Sequence, residues 1–166
     1  MSMKSPLLPL ALVWAVLTLV ACTNDSCYDN GSSLPLAQCC VGGSQQTVPG
    51  LTIMGIGAPG DSLLADSSSL SEIYLPLRAS TGTTSYSISR WVGIGTPMAK
   101  ELHDTLTIHY QAIAYFHSIE CGAMYNFDIH DVSCTSEGID SIEVLTPLVT
   151  NALVPALRIH FTDFSQ

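Results

Sequence analysis

The amino-acid sequence predicts an all-β domain, an antiparallel β-sandwich of seven or eight strands, with an immunoglobulin-like topology as one option. Short segments in which apolar and polar residues alternate are separated by clusters of Gly, Pro, Ser and Asp. The alternation is typical of strands with one buried face, and the clusters are typical of turns. No segment has the apolar spacing of an amphipathic helix, which argues against alternating strand and helix units.

The clearest predicted strand is Leu106–Tyr110, because its three apolar residues face one way while Thr107 and His109 face the other. Aromatic residues are expected in the core by default, including Tyr86 and Trp91. In chain order, the seven predicted strands are Leu51–Ile56, Glu72–Leu77, Ser85–Trp91, Leu106–Tyr110, Tyr125–Ile129, Ile139–Val144 and Leu157–Phe161.

Residues 1–21 have the layout of a secretory signal peptide. Lys4 supplies a positive charge, an apolar run extends from Leu7, and the small residue Ala21 suits a cleavage site. A membrane-spanning helix needs about 20 apolar residues. This run is shorter and contains Pro9, so we expect cleavage before Cys22. Residues 22–33 are polar and predict a tether, and residues 34–166 form the predicted domain.

Leu19-Val20-Ala21-Cys22 resembles the signal of bacterial lipoproteins. The resemblance implies that the Cys22 thiol receives a diacylglyceryl group and that the new amino terminus is acylated, for example by palmitate. Two or more acyl chains give stable membrane attachment, whereas one is marginal. By the rules of lipoprotein sorting, Thr23 in place of Asp after Cys22 favours the outer membrane. The absence of an acidic cluster after Cys22 slightly favours the periplasmic face over the cell surface. The alternative is a soluble secreted protein.

The balance of charge excludes one class of partner. Residues 22–166 carry four Lys and Arg against fourteen Asp and Glu. Nucleic acids and anionic lipid surfaces require a positive protein face, so neither is expected. The expected contacts are the membrane, through the lipid on Cys22, and an envelope protein or glycan.

The six cysteines of an exported chain indicate disulfides. Cys121 and Cys134 flank a predicted strand and are too far apart to bond. A bond between adjacent Cys39 and Cys40 would be strained. A bridge from Cys121 to the amino-terminal region is favoured, with Cys27 as the preferred partner, and zinc binding is disfavoured by the adjacent pair. The candidates are Cys27, Cys39, Cys40, Cys121 and Cys134.

Two short motifs resemble cofactor or catalytic signatures. Gly55-Ile56-Gly57-Ala58-Pro59-Gly60 matches the dinucleotide-binding pattern, which needs a helix after it. Pro59 and the Ser67-Ser68-Ser69 run indicate a loop instead, and no cofactor is expected. Gly60-Asp61-Ser62-Leu63 resembles the nucleophile block of GDSL esterases, with Ser62 as nucleophile. No histidine of the chain has the Asp three residues earlier that supplies the base in that family.

The histidines suggest a metal site. If residues 106–116 and 121–131 pair as a hairpin, His109 lies roughly opposite His130, with Asp128 on the same face and His160 as a further ligand. Cross-strand Cβ atoms lie about 5 Å apart, so these side chains could share a divalent ion. The preferred interpretation remains a solvated strand face, since such strands need polar outward positions.

The chain resembles a family of small Bacteroidales-type lipoproteins of unknown function, DUF6452. The resemblance implies an envelope location and an all-β fold, and it implies nothing about mechanism because the family has no assigned activity. Since the motifs above favour their structural interpretations, we expect a non-catalytic binding or structural module, with a metal-binding protein or a GDSL-like esterase as alternatives. The matching parts are Cys22 with Cys27, Gly55-Ile56-Gly57, Leu75-Pro76-Leu77, Asp104-Thr105-Leu106, Cys121-Gly122 and Ile139-x-x-Ile142-x-Val144.

Overall fold

The computed structural model describes residues 33–58, 62–119 and 121–163, in which all regular structure is β. The predicted signal peptide, Cys22, Cys27 and the tether up to residue 32 lie outside the described residues. Within the described ranges, no helix has the length and apolar character needed to cross a membrane.

The described residues form eleven strands, three of which have only two or three residues. The strands are β1 (Leu36–Val41), β2 (Ser44–Gln45), β3 (Val48–Ile56), β4 (Leu63–Leu70), β5 (Glu72–Tyr74), β6 (Thr83–Val92), β7 (Lys100–Ser118), β8 (Gly122–Cys134), β9 (Ile139–Val144), β10 (Leu148–Val149) and β11 (Pro155–Phe161).

The strands form two sheets. The larger has the order β10-β8-β7-β6-β3-β4, and all its pairs are antiparallel. In the smaller, β1 lies between β11 on one side and both β2 and β5 on the other, and β9 follows β11. The β1–β11 pair is parallel, with Ala37 opposite Leu157 and Val41 opposite Phe161.

The apolar core lies between the sheets, and it confirms the predicted β-sandwich. Leu106, Ile108 and Tyr110 of β7 are at most 4% exposed, so the predicted inward face of that strand is correct. Ile159 and Leu157 close the core from the smaller sheet. Fully burying one such side chain stabilises the fold by about 1.5–3 kcal/mol.

The structure differs from the sequence prediction at β5 and at β4. Strand β5 ends at Tyr74 instead of Leu77, where the Leu75 amide donates to the Pro35 carbonyl and Pro76 has no N–H to extend a ladder. Strand β4 contains the Ser67-Ser68-Ser69 run that predicted a loop. Ser67 has a φ of 44° and lies where the β3–β4 register shifts, so the polar run belongs to an irregular edge strand.

Two buried tyrosines fix the segment between β5 and β6 to the larger sheet. The Tyr110 hydroxyl donates to the Arg78 carbonyl at 2.8 Å and accepts from the Arg78 amide at 2.9 Å. It also lies 2.7 Å from the Thr84 hydroxyl. The Tyr86 hydroxyl donates to the Pro76 carbonyl, and burial raises the pKa of Tyr86. These bonds satisfy backbone groups that no strand partner reaches.

Tyr110→Phe tests this anchoring. The substitution keeps the ring and leaves the Arg78 backbone and the buried Thr84 hydroxyl short of a partner, so the free energy of unfolding should fall by about 1–3 kcal/mol. Tyr74→Phe is the control, because Tyr74 is 42% exposed and its loss should change stability by less than about 0.5 kcal/mol. Urea unfolding followed by circular dichroism measures both, and equal losses would contradict the anchoring role.

Candidate functional site

A cavity of about 420 Å³ opens at one end of the sandwich, where β1 and β6 end and β3 begins. The strand ends bring together residues that are distant in sequence, because Val41 of β1 and Phe161 of β11 are paired there. This cavity is called the Trp91 cleft below, and its lining includes Val41, Val48, Arg90, Trp91, Ile94 and Asp163.

Arg90 places a fixed positive charge in the wall of the Trp91 cleft. Its side chain faces inward on β6 and is 9% exposed. One guanidinium nitrogen donates to the Thr162 carbonyl at 2.6 Å, and the guanidinium carbon lies 5.4 Å from the centre of the Phe161 ring. Burial lowers the pKa of Arg90, and Asp104, Asp140 and Asp163 oppose this effect. Arginine stays charged at neutral pH, so the lining of the cleft contains the Arg90 cation together with the acidic residue Asp163.

The rim of the Trp91 cleft is apolar and exposed. Trp91, near the end of β6, is 54% exposed, and Ile94, in the loop that follows β6, is 77% exposed. The loop that carries Ile94 is held by Thr96, whose hydroxyl donates to the Gly93 carbonyl at 2.7 Å and accepts from the Met98 amide at 3.2 Å. Two large apolar side chains of the cavity lining, Trp91 and Ile94, are therefore in solvent. The expectation of a core position is correct for Tyr86, at 2% exposed, and wrong for Trp91.

Asp104 organises the connection between β8 and β9 behind Arg90. Its carboxylate is 4% exposed. It accepts from the Thr135 hydroxyl and the Glu137 amide at 2.8 Å each, and from the Gly138 amide at 2.7 Å. A Cβ on Gly138 would lie 3.0 Å from Leu102 and 3.3 Å from this carboxylate, so glycine permits the approach. The sequence pattern showed Asp104 only as the start of a strand.

The histidine hypothesis is not supported by the register of β7 and β8. The predicted hairpin is present, but His109 lies opposite Asp131, and the register then shifts so that Tyr110 pairs with Ile129. This register shift is a β-bulge in β8, and His130 is its extra residue, with no partner directly opposite on β7. Asp128 lies opposite Gln111. His109 instead lies 3.1 Å from the Thr83 hydroxyl. No three His, Cys, Asp or Glu side chains in the described part of the chain are grouped so that they could hold a metal ion.

His160, the further ligand of that hypothesis, lies in the other sheet. It belongs to β11, where its ring nitrogen is 3.9 Å from the Glu143 carboxylate. The same carboxylate pairs with Arg158 at 2.8 Å. His160 therefore takes part in a polar row on the smaller sheet, away from His109 and His130.

Ser62 and the glycine motif lie in the connection from β3 to β4. A strand, not a helix, begins at Leu63, so the described residues of the connection, 57, 58 and 62, include no helix amino terminus to receive a pyrophosphate. Ser62 accepts the Gly55 amide through its carbonyl at 2.9 Å and borders a cavity of about 180 Å³ with Arg78 and Tyr86. None of the described residues lining this cavity is a histidine. Pro59, Gly60 and Asp61 lie outside the described residues.

Three of the disulfide candidates carry free thiols, which corrects their assignment as possible partners: Cys39, Cys40 and Cys134. Cys39 and Cys40 are each 1% exposed, and as successive strand residues they point to opposite faces of the smaller sheet. Cys134 is at the far end of β8 from Cys121, about 40 Å along the strand. Cys121 is the one described cysteine that is not a free thiol, and Cys27 lies outside the described residues.

The β7–β8 hairpin extends past the rest of the larger sheet. Strand β6 accompanies β7 only as far as His109, and β10 pairs with β8 only at Phe127 and Asp128. Residues 111–119 and 121–126 therefore form a two-stranded arm, called the hairpin arm below. Its large exposed side chains are Ile113 at 39%, Phe116 at 69%, Ile119 at 89% and Tyr125 at 42%. The alternation pattern placed Tyr125 with the core, but the smaller sheet does not cover the arm.

The described residues thus define an all-β two-sheet domain with an open cleft at one end and an apolar arm formed by its central hairpin. The chain belongs to a family of unknown function, DUF6452, whose family model matches residues 50–161. The match includes the cleft residues Arg90, Trp91 and Ile94 and the whole arm. No curated protein matches the chain, and no solved structure matches it, so the immunoglobulin-like topology stays a prediction.

Alkylation of the thiols tests the cysteine assignments. Burial and the neighbouring Cys40 raise the pKa of Cys39 to about 11, and the thiolate is the reactive form. Burial also raises the pKa of Cys134, which is less buried than Cys39. With iodoacetamide at pH 8 and peptide mass spectrometry, we expect Cys134 to be labelled first and Cys39 and Cys40 only after unfolding in urea. Protection that persists in urea and disappears on reduction would instead show that these thiols are disulfide-bonded.

Proposed function

We propose that this chain is a non-catalytic lipoprotein of the cell envelope that uses the Trp91 cleft to bind a protein segment or a glycan. The observation that carries the proposal is the combination of an open 420 Å³ cleft, an exposed Trp91 on its rim and a fixed Arg90 in its wall. Large apolar side chains held in solvent beside a cavity are typical of interaction sites.

The chemistry of the cleft favours a ligand with flat apolar faces and hydrogen-bond acceptors. The Trp91 ring offers a surface on which a sugar ring or a proline can stack. The walls formed by Val41, Val48 and Ile94 are apolar. Arg90 supplies a cation whose position is set by Thr162 and Phe161. Carbonyl, carboxylate and hydroxyl groups are the ligand acceptors that a guanidinium group binds.

We further propose that the protein is held at the membrane by lipid on Cys22, in the outer membrane and on its periplasmic face. The sequence layout of residues 1–22 supports this attachment. A disulfide between Cys27 and Cys121 would join the tether to the hairpin arm. It is supported by Cys121 being the one cysteine of the described ranges that is not a free thiol.

Cys22→Ser tests the anchor. The variant lacks the thiol that receives the diacylglyceryl group, so the protein should move from the membrane pellet to the soluble fraction or remain as uncleaved precursor. Intact-mass spectrometry of the wild-type protein should give the mass of residues 22–166 plus lipid. Cys40→Ser is the matched control, since Cys40 is a free thiol of the domain and should leave both the lipid and the fractionation unchanged. A wild-type protein without lipid contradicts the anchor.

Site-specific cross-linking in the native envelope tests the cleft. A photo-reactive residue at Ile94, which is 77% exposed on the cleft rim, should give a discrete adduct, and Trp91→Ala should abolish it. The same probe at Tyr74 is the matched control and should give no adduct of that mass. Digestion of the adduct with protease or with glycosidase identifies a protein or a glycan. Identical products from the Ile94 and Tyr74 positions, or no effect of Trp91→Ala, would contradict the proposal.

A further inference from the structure

We infer that the hairpin arm is a membrane-contacting element that rests in the headgroup region of the lipid bilayer, beside the anchor. This inference rests on the proposed lipid on Cys22 and extends it, because it adds a contact between the folded domain and the membrane. Its evidence is the charge, exposure and attachment of residues 111–126.

The arm is nearly free of charge in a strongly acidic chain. The protein has a formal net charge of −9, with 19 residues that are Lys, Arg, Asp or Glu, yet Glu120 is the one such residue between Gln111 and Asn126. An acidic surface is repelled by anionic lipid headgroups, whereas an uncharged one is not. The arm can therefore approach a bilayer with little electrostatic repulsion.

The arm is apolar on both faces. Ala114 and Phe116 continue the alternation of Leu106, Ile108 and Tyr110 along β7, so they belong to the core-side face. Ala114 pairs with Tyr125 and Phe116 pairs with Ala123, so Tyr125 belongs to the same face. The opposite face carries Ile113 and a contact between the Tyr115 hydroxyl and the Met124 sulfur at 3.8 Å. A docking protein covers one face of such a ribbon, whereas a lipid environment surrounds both. Tyrosine and phenylalanine side chains suit the membrane interface.

The start of the described chain lies at the base of the arm. Ser33 is 5% exposed, and its hydroxyl donates to the Asn126 side-chain oxygen at 3.0 Å. Ser33 and Leu34 also line a cavity of about 310 Å³ with Ala123 and Tyr125. The twelve residues from Cys22 to Ser33 are joined by eleven Cα–Cα steps, which can span at most about 40 Å. A lipid on Cys22 therefore keeps the membrane within reach of the arm.

The backbone of the arm limits how deeply it can enter. Among the described strands, only β7 and β8 pair with each other along the arm, and hydrocarbon offers no partners to the amide and carbonyl groups at the edges of a ribbon. Gln111 and Asn126 are polar residues at its base. The arm is consequently expected to lie among hydrated headgroups, with Phe116 and Ile119 at the level of the upper acyl chains.

Tryptophan quenching by brominated lipid tests the contact. The sequence has two tryptophans, Trp14 in the predicted signal peptide and Trp91. The mature lipidated protein is reconstituted in phosphatidylcholine vesicles with and without brominated acyl chains. Phe116→Trp in a Trp91→Phe background should lose at least half of its emission with brominated lipid. Ile94→Trp in the same background is the matched control, because Ile94 is similarly exposed on the other end of β7, and it should lose less than a tenth.

The possible outcomes separate this inference from the proposed function. Intact mass first establishes the lipid on Cys22; its absence overturns the anchor and this inference together. With lipid present, unquenched emission from Phe116→Trp overturns the membrane contact and leaves the anchor intact. Blue-shifted but unquenched emission with a doubled mass by light scattering would show that a second copy covers the arm, which also overturns the inference. Equal quenching of the Phe116→Trp and Ile94→Trp proteins would show adsorption without orientation and overturns it as well.

Discussion

The parallel pairing of β1 with β11 is the constraint on which the smaller sheet depends. Strands β2 and β5 attach to β1, and β9 attaches to β11, so this one ladder joins all five strands. It brings together segments more than a hundred residues apart, and closing such a loop costs about 4 kcal/mol of chain entropy. Burial offsets this cost, because Ala37, Cys39, Leu157 and Ile159 are at most 1% exposed. Strand β1 precedes the residues 50–161 that match the family, whereas β11 lies within them.

The β1–β11 ladder and the long strand β7 place the Trp91 cleft at one end of the domain and the hairpin arm at the other end of β7. Val41 and Phe161 meet at the end that opens into the Trp91 cleft. Strand β7 begins just after the loop that carries Ile94 and is about 60 Å long in all, and its residues from Gln111 onwards form one side of the hairpin arm. One rigid hairpin therefore connects a candidate binding surface to a candidate membrane surface. If the arm rests on the bilayer, the cleft projects away from it, where an envelope protein or glycan can reach Trp91.

Polar groups inside the domain stabilise its connections more than its strands. The Asp104 carboxylate accepts three hydrogen bonds around the β8–β9 connection, and Tyr110 holds Arg78 between β5 and β6. Buried donors and acceptors that are paired contribute modestly, whereas leaving one unpaired costs about 1–3 kcal/mol. Asp104 also adds negative charge near Arg90 and opposes the effect of burial on its pKa. The cleft thus depends on residues that never contact its surface.

The sequence by itself determined the all-β class, the inward face of β7 and the β7–β8 hairpin, because a half-buried strand imposes a period of two on its residues. It did not determine β1, since Leu36, Ala37, Cys39 and Cys40 are buried on both faces and show no alternation. Only the tertiary structure decided that a β-bulge at His130 prevents His130 from pairing with His109. It also decided that Trp91 lies on a cleft and that Tyr125 is exposed on the hairpin arm. The reason is physical: alternation specifies which side of a strand is apolar, but where the opposing sheet ends decides whether that side is covered.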